Sequence, residues 1–132
     1  MIYLTKNQSN TVVLTLNEKA TTTTYDVLFE FTNDMKGEGS KILFTADDTS
    51  ITPFRFNQFT IEETTSENYY QGKVELIEGT WTYKVYEMPS ASPKSLDVDA
   101  SVGVLEVGKV TVEVSADVNY LGNDTKNNKI FE

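Results

Sequence analysis

The 132-residue chain contains no cysteine and no histidine. Without cysteine no disulfide can staple the fold, and without either residue the ordinary zinc, iron and copper ligand sets cannot be built, which leaves only oxygen-ligated ions. The lack of histidine also removes imidazole as a general acid or base, and with it the common nucleophile triads. No GxxxxGK[ST] stretch is present to cradle a nucleotide phosphate. No apolar run approaches the roughly 20 residues of a membrane-spanning helix, and "MIYLTKNQSN" reaches polar residues by Thr5 without the apolar core of a signal peptide. A soluble chain that is not exported by the standard route is expected. Positive charge is scarce as well. The 11 Lys and Arg stand against 20 Asp and Glu, a net charge of -9 that repels phosphate backbones and anionic membranes. Neither nucleic acid nor membrane is therefore an expected partner, and no cofactor is expected.

What the chain does have is alternation. Short runs of period two, bounded by polar turn clusters, fill the sequence, and no stretch shows a helical period. The length suits one domain, residues 1–132, with one core. "TVVLTL" (11–16) sets Val12, Leu14 and Leu16 on one face, and "MIYLT" before it is either an edge strand or an arm. "TYDVLFEFT" (24–32) sets Tyr25, Val27, Phe29 and Phe31 on one face, with Asp26, Glu30 and Thr32 on the other. "NDMKGEG" (33–39) reads as a turn and "KILFTA" (41–46) as a short strand. In "FRFNQFTIEE" (54–63) Phe54 and Phe56 fall on one face and Phe59 and Ile61 on the other, which predicts a bulge between them. Two hairpins are predicted, "YYQGKVELI" with "TWTYKVYE" across Glu78-Gly79, and "VGVLEVG" with "KVTVEVS" across Gly108. "MPSASPKSLDVDAS" (88–101) is the longest irregular stretch and reads as a loop at one end. Eight or so strands at such spacing predict an all-β fold, a two-sheet antiparallel β-sandwich.

In "EGTWTYKVYE" (78–87) Gly79, Trp81, Tyr83 and Val85 follow one another on a single face. The pattern resembles the F strand of immunoglobulin-like domains. Trp81 stands where the corner tyrosine would be and Tyr83 where the disulfide cysteine would be, so the resemblance implies the sandwich topology without the tyrosine-corner hydrogen bond. Phe29, Phe31, Trp81, Tyr83 and Val112 are predicted to be buried between the sheets.

The wider layout carries a second resemblance. "LTKNQSNTVVLTLNEKATTTTYDVLFEFTND", the central "FNQFTIEE" and the closing "EGTWTYKVYE" with "LEVGKVTVEV" resemble small virion proteins of tailed phages of Bacteroidetes, the crAss-like group included. The resemblance implies a multi-copy, non-enzymatic structural protein of the virion, assembled in the host cytoplasm. Its partners would be other capsid or tail proteins and further copies of itself. The role would be capsid decoration or auxiliary protein, or a tail or head-fibre component. The residues expected to meet a partner are Met88, Pro89, Pro93 and Leu96 in the long loop, together with Ile2 and Tyr3 in "MIYLT" and Ile130 and Phe131 in "NNKIFE", the two terminal stretches (1–5 and 126–132) being arm candidates that could pair with an exposed edge.

Other readings attach to particular residues. Asp47-Asp48, Glu62-Glu63 and Asp97 with Asp99 are neighbouring carboxylates of the kind a glycosidase pairs, although twenty acids produce such neighbours by chance. "TADDTS" (45–50) and "LDVDAS" (96–101) are the loops with most oxygen ligands for calcium. Neither has the DxDxDG spacing of a dedicated site, and turn capping explains both. "ATTTTY" reads as the entry to an exposed strand. A glycan-binding module would use Trp81, Tyr86, Tyr69 and Tyr70 as a stacking platform, which requires Trp81 to lie at the surface.

Overall fold

In the computed structural model residues 1–21, 25–35, 41–52, 55–90 and 94–114 are described. They form eight strands: β1 (Ile2–Thr5), β2 (Ser9–Leu14), β3 (Tyr25–Asn33), β4 (Lys41–Thr45), β5 (Asn57–Glu63), β6 (Lys73–Val74), β7 (Gly79–Pro89) and β8 (Gly103–Glu113). One sheet has the order β1-β8-β7-β3-β4 and the other β2-β5-β6. Both are mixed rather than antiparallel as expected, because β1 runs parallel to β8 and β6 parallel to β5. The all-β fold agrees with the alternation in the sequence.

One core joins the two sheets. Val12, Leu14, Phe59, Ile61 and Val74 of the smaller sheet meet Val27, Phe29, Phe31, Phe44, Tyr83 and Val85 of the larger. Phe29 lies at its centre, stacked on Phe44 at 5.1 Å within its own sheet and edge-on to Phe59 of the other at 5.2 Å. All five residues predicted for the core, Phe29, Phe31, Trp81, Tyr83 and Val112, are buried. The indole Nε1 of Trp81 donates to the carbonyl of Ile77 at 3.1 Å, which ties β7 to backbone four residues upstream.

Three local expectations fail for physical reasons. Gly108 is not a turn: β8 runs through it unbroken, opposite Tyr83. A Cβ there would lie 2.6 Å from the Tyr83 ring, so the glycine makes room for an aromatic rather than reversing the chain. The Glu78-Gly79 hairpin is also absent, because β6 is only two residues long and joins β5 in the other sheet. Nor is a bulge needed after Phe56. That residue lies in a turn before β5, its amide donating to Thr52 O at 3.2 Å, while Asn57, Phe59, Ile61 and Glu63 alternate inward without interruption. Phe54 and residues 22–24 of "ATTTTY" lie outside the described residues.

The larger sheet is covered on both faces over part of its area. Leu28, Tyr86 and Met88 form a second apolar cluster on its outer side, against which Leu43, Leu96 and Val98 pack. Glu30 faces outward as expected but is buried, accepting from the Tyr86 hydroxyl at 3.2 Å. Burial, with Glu30 beside it, raises the Tyr86 pKa.

Candidate partner-binding site

Two of the four loop residues expected to dock, Met88 and Leu96, are turned inward. Met88 is 1% exposed on Leu28 and Tyr86, and Leu96 folds back half-buried onto the same cluster, while Pro89 is exposed. The loop is a cover for the outer sheet face, because that face carries an apolar patch of its own. Ile2, expected at a partner surface, is also in the core, at 3% exposed. Ile2–Thr5 of "MIYLT" is therefore a strand of the larger sheet, with Tyr3, at 66% exposed, turned outward beside exposed Met1. Pro93, Ile130 and Phe131 lie outside the described residues.

The aromatic platform does not assemble. Trp81 is core, Tyr86 is buried on the opposite side of the same sheet, and Tyr69 and Tyr70 sit in a separate turn. The acidic pairs are engaged in local structure. Asp48 accepts from Ser50 N, Gln58 N and Asn57 Nδ2 at 3.0, 3.1 and 2.7 Å, while Asp47 is paired with Lys94. Asp97 caps the 3₁₀ turn Val98–Ala100 by accepting from Asp99 N at 3.0 Å. Glu62 and Glu63 are successive residues of one strand and point to opposite faces. Among the described residues no cluster of three acidic side chains could hold a metal ion.

Glu63 has a different task. Buried in β5, it accepts from Asn7 N at 2.8 Å, Leu76 N at 2.9 Å and the Lys6 ammonium at 3.3 Å. Burial alone would raise its pKa, but the two amides and the ammonium outweigh burial and hold the carboxyl below the usual range. It anchors the turn between β1 and β2, where Asn7 takes a φ of 64°.

That turn opens onto the feature that residue-type reasoning missed. β1 edges the larger sheet and β2 edges the smaller, so the two diverge from the turn as the lips of a cleft. Asn10 closes its inner end, its side chain accepting from Thr5 N at 2.9 Å and donating to Thr5 O at 3.1 Å. Beyond Asn10 the lips separate around a cleft of about 230 Å³ lined by Met1, Ile2, Tyr3, Thr11, Val12 and Val13. Hydrogen-bond alternation fixes which backbone groups face it. Lys6 N bonds Glu113 O of β8's last residue, so Thr5 and Tyr3 turn their N–H and C=O away from β8. Glu63 N bonds Gln8 O, so Thr11 and Val13 turn theirs away from β5. Asn10 satisfies Thr5; among the described residues no hydrogen bond is recorded for the edge-facing groups of Tyr3, Thr11 and Val13. The signal was present in "SNTVVL", an uncharged strand with Val13 on its polar face and an asparagine on its buried face.

Comparison of the chain with protein-family models, with curated proteins and with solved structures returned no match.

Proposed function

We propose that this chain is a non-enzymatic structural protein of a tailed-phage virion, a capsid auxiliary or decoration protein with an immunoglobulin-like sandwich fold, present in many copies. The observation that carries the reading is the open cleft between β1 and β2, an uncharged edge rimmed by exposed Met1, Tyr3 and Val13 on an otherwise acidic body. Such an edge suits attachment to protein rather than chemistry on a small molecule. The resemblance of the strand and turn layout to small virion proteins supplies the setting, and the net charge of -9 favours a basic or mixed protein surface over nucleic acid. A glycan-binding role loses its best residue with Trp81 in the core. Mass spectrometry and a density map of purified virions test the proposal. The chain ordered against another virion protein supports it, and a chain found only in infected cytoplasm and never in particles overturns it.

A further inference from the structure

We infer that the β1–β2 cleft is a strand-acceptor slot, and that its occupant is the segment 126–132 of a second copy of this chain. The slot presents backbone groups from two different sheets, Tyr3 on one lip and Thr11 and Val13 on the other. A single extended segment laid between them bonds to both, adding a strand to each edge and closing the open side of the molecule. No ordinary surface groove offers that, because it needs two edges that diverge from one turn.

Charge selects the occupant. Neither lip carries a charged side chain, so no side chain of the slot opposes a segment of either sign entering it. "KNNKIFE" (126–132) holds two lysines against one glutamate, a net +1 that leaves -10 on the rest of the chain. A basic segment is drawn to an acidic body, whereas two acidic bodies repel everywhere else. Ile130 and Phe131 supply apolar side chains for the rim made by Met1, Tyr3 and Val13. Geometry selects the source. β8 ends at Glu113 beside Thr5, at the end of the slot that Asn10 closes, and the mouth lies at the opposite end, by Met1 and Val13. The mouth therefore lies at the far end of the slot from where this chain leaves its own sheet, so a second copy enters it directly whereas the chain's own segment must first run back along the slot. A segment donated from one copy to the next is a heterologous contact, which propagates along an assembly.

The chain has no cysteine of its own, which makes the test direct. Two single-cysteine variants of the full chain, Val13→Cys and Phe131→Cys, are mixed under mild oxidation, and a dimer carrying one of each can form only between copies. Met35→Cys, at a position 87% exposed, serves as the collision control in place of Val13→Cys. The mixed Val13→Cys dimer should form about tenfold faster than the control or more, the gain expected of a docked segment over random encounter. Adding Thr11→Lys, at an exposed side chain on the lip, should remove that preference by repelling the two lysines, whereas Thr11→Glu should keep it. Thr11→Pro, which deletes an edge amide without touching the β5 ladder, should act like the lysine if circular dichroism shows it folded. Equal rates for Val13→Cys and Met35→Cys overturn the inference. So does a bridge that forms only within one chain carrying both cysteines, which would place the segment in its own slot. The test is read on purified protein, so its outcome is separate from whether the chain is found in virions.

Discussion

The two open sides of the paired sheets face the same problem and treat it in opposite ways. On one side β4 and β6 are edge strands, and the turn 68–72 bridges them. Thr45 N of β4 donates to Tyr69 O at 2.7 Å, and on the outer edge of β6 Asn68 N donates to Lys73 O at 2.9 Å while Lys73 N donates to Asn68 O at 3.1 Å. The Thr45 hydroxyl adds a bond to Tyr70 O at 3.3 Å. The bridge fits because Gly72 adopts a φ of 68° with no Cβ to meet Thr60 O, which would otherwise be 2.7 Å away. On the other side, among the described residues, β1 and β2 are pinned together at their turn, by Asn10 and Glu63, and then separate. Edge strands are ordinarily blunted by lysine, shortness or cover. The β4 and β6 edges have all three, with Lys41, Lys73, a two-residue strand and the covering turn. Among the described residues the β1 and β2 edges carry neither a lysine nor a covering turn beyond Asn10, and that difference is what motivates the contact proposed there.

The largest effect should come from the core that both sides share. Trp81→Ala removes a buried indole and its bond to Ile77, and should cost about 3–5 kcal/mol in denaturant unfolding. A loss below about 1 kcal/mol would place the side chain outside the core. Gly72→Ala breaks the closed side alone. The strained φ and the approach to Thr60 O should cost about 2–3 kcal/mol and expose the Thr45 amide to exchange first. Loss of protection that begins at β2 instead would contradict the bridging role of the turn. Asn10→Ala releases the pin of the open side, leaving Thr5 N–H and C=O without their partner. It should cost about 1–3 kcal/mol by the same unfolding measurement, with no effect on Thr45 exchange.

The smallest effect is pH-dependent. The Glu63 carboxyl is held below its ordinary value of 4.5, so the folded state binds its proton less readily than the unfolded chain. Its stabilisation is complete above that ordinary value and is lost as pH falls from there through the lower folded pKa. A melting series across that acid range should show Glu63→Gln less stable than the native chain near neutrality and the gap shrinking as pH falls. A gap constant with pH would mean that the carboxylate charge does not hold the β1–β2 turn.

How much of this was legible depended on whether one residue's neighbours in sequence decide its role. The faces of β3 and β7 could be read because alternation is local: Val27, Phe29 and Phe31, then Trp81, Tyr83 and Val85, recur at every second place. The second buried face was less visible, although "VLFEF" and "VYEM" are apolar nearly throughout, because Leu28, Tyr86 and Met88 are buried only once Leu96 and Val98 return over them. Gly108 misled because its reason lies on the neighbouring strand, in the ring of Tyr83. The cleft was the least legible feature of all. It is made of backbone groups, which carry no residue type, and it exists only because consecutive strands enter different sheets.

Amide hydrogen exchange of the dilute monomer tests the contrast between the two sides most directly. The account predicts slow exchange at Thr45 and Lys73, whose amides bond the bridging turn, and fast exchange at Tyr3, Thr11 and Val13, whose amides face the open cleft. Comparable protection at all five positions would contradict it.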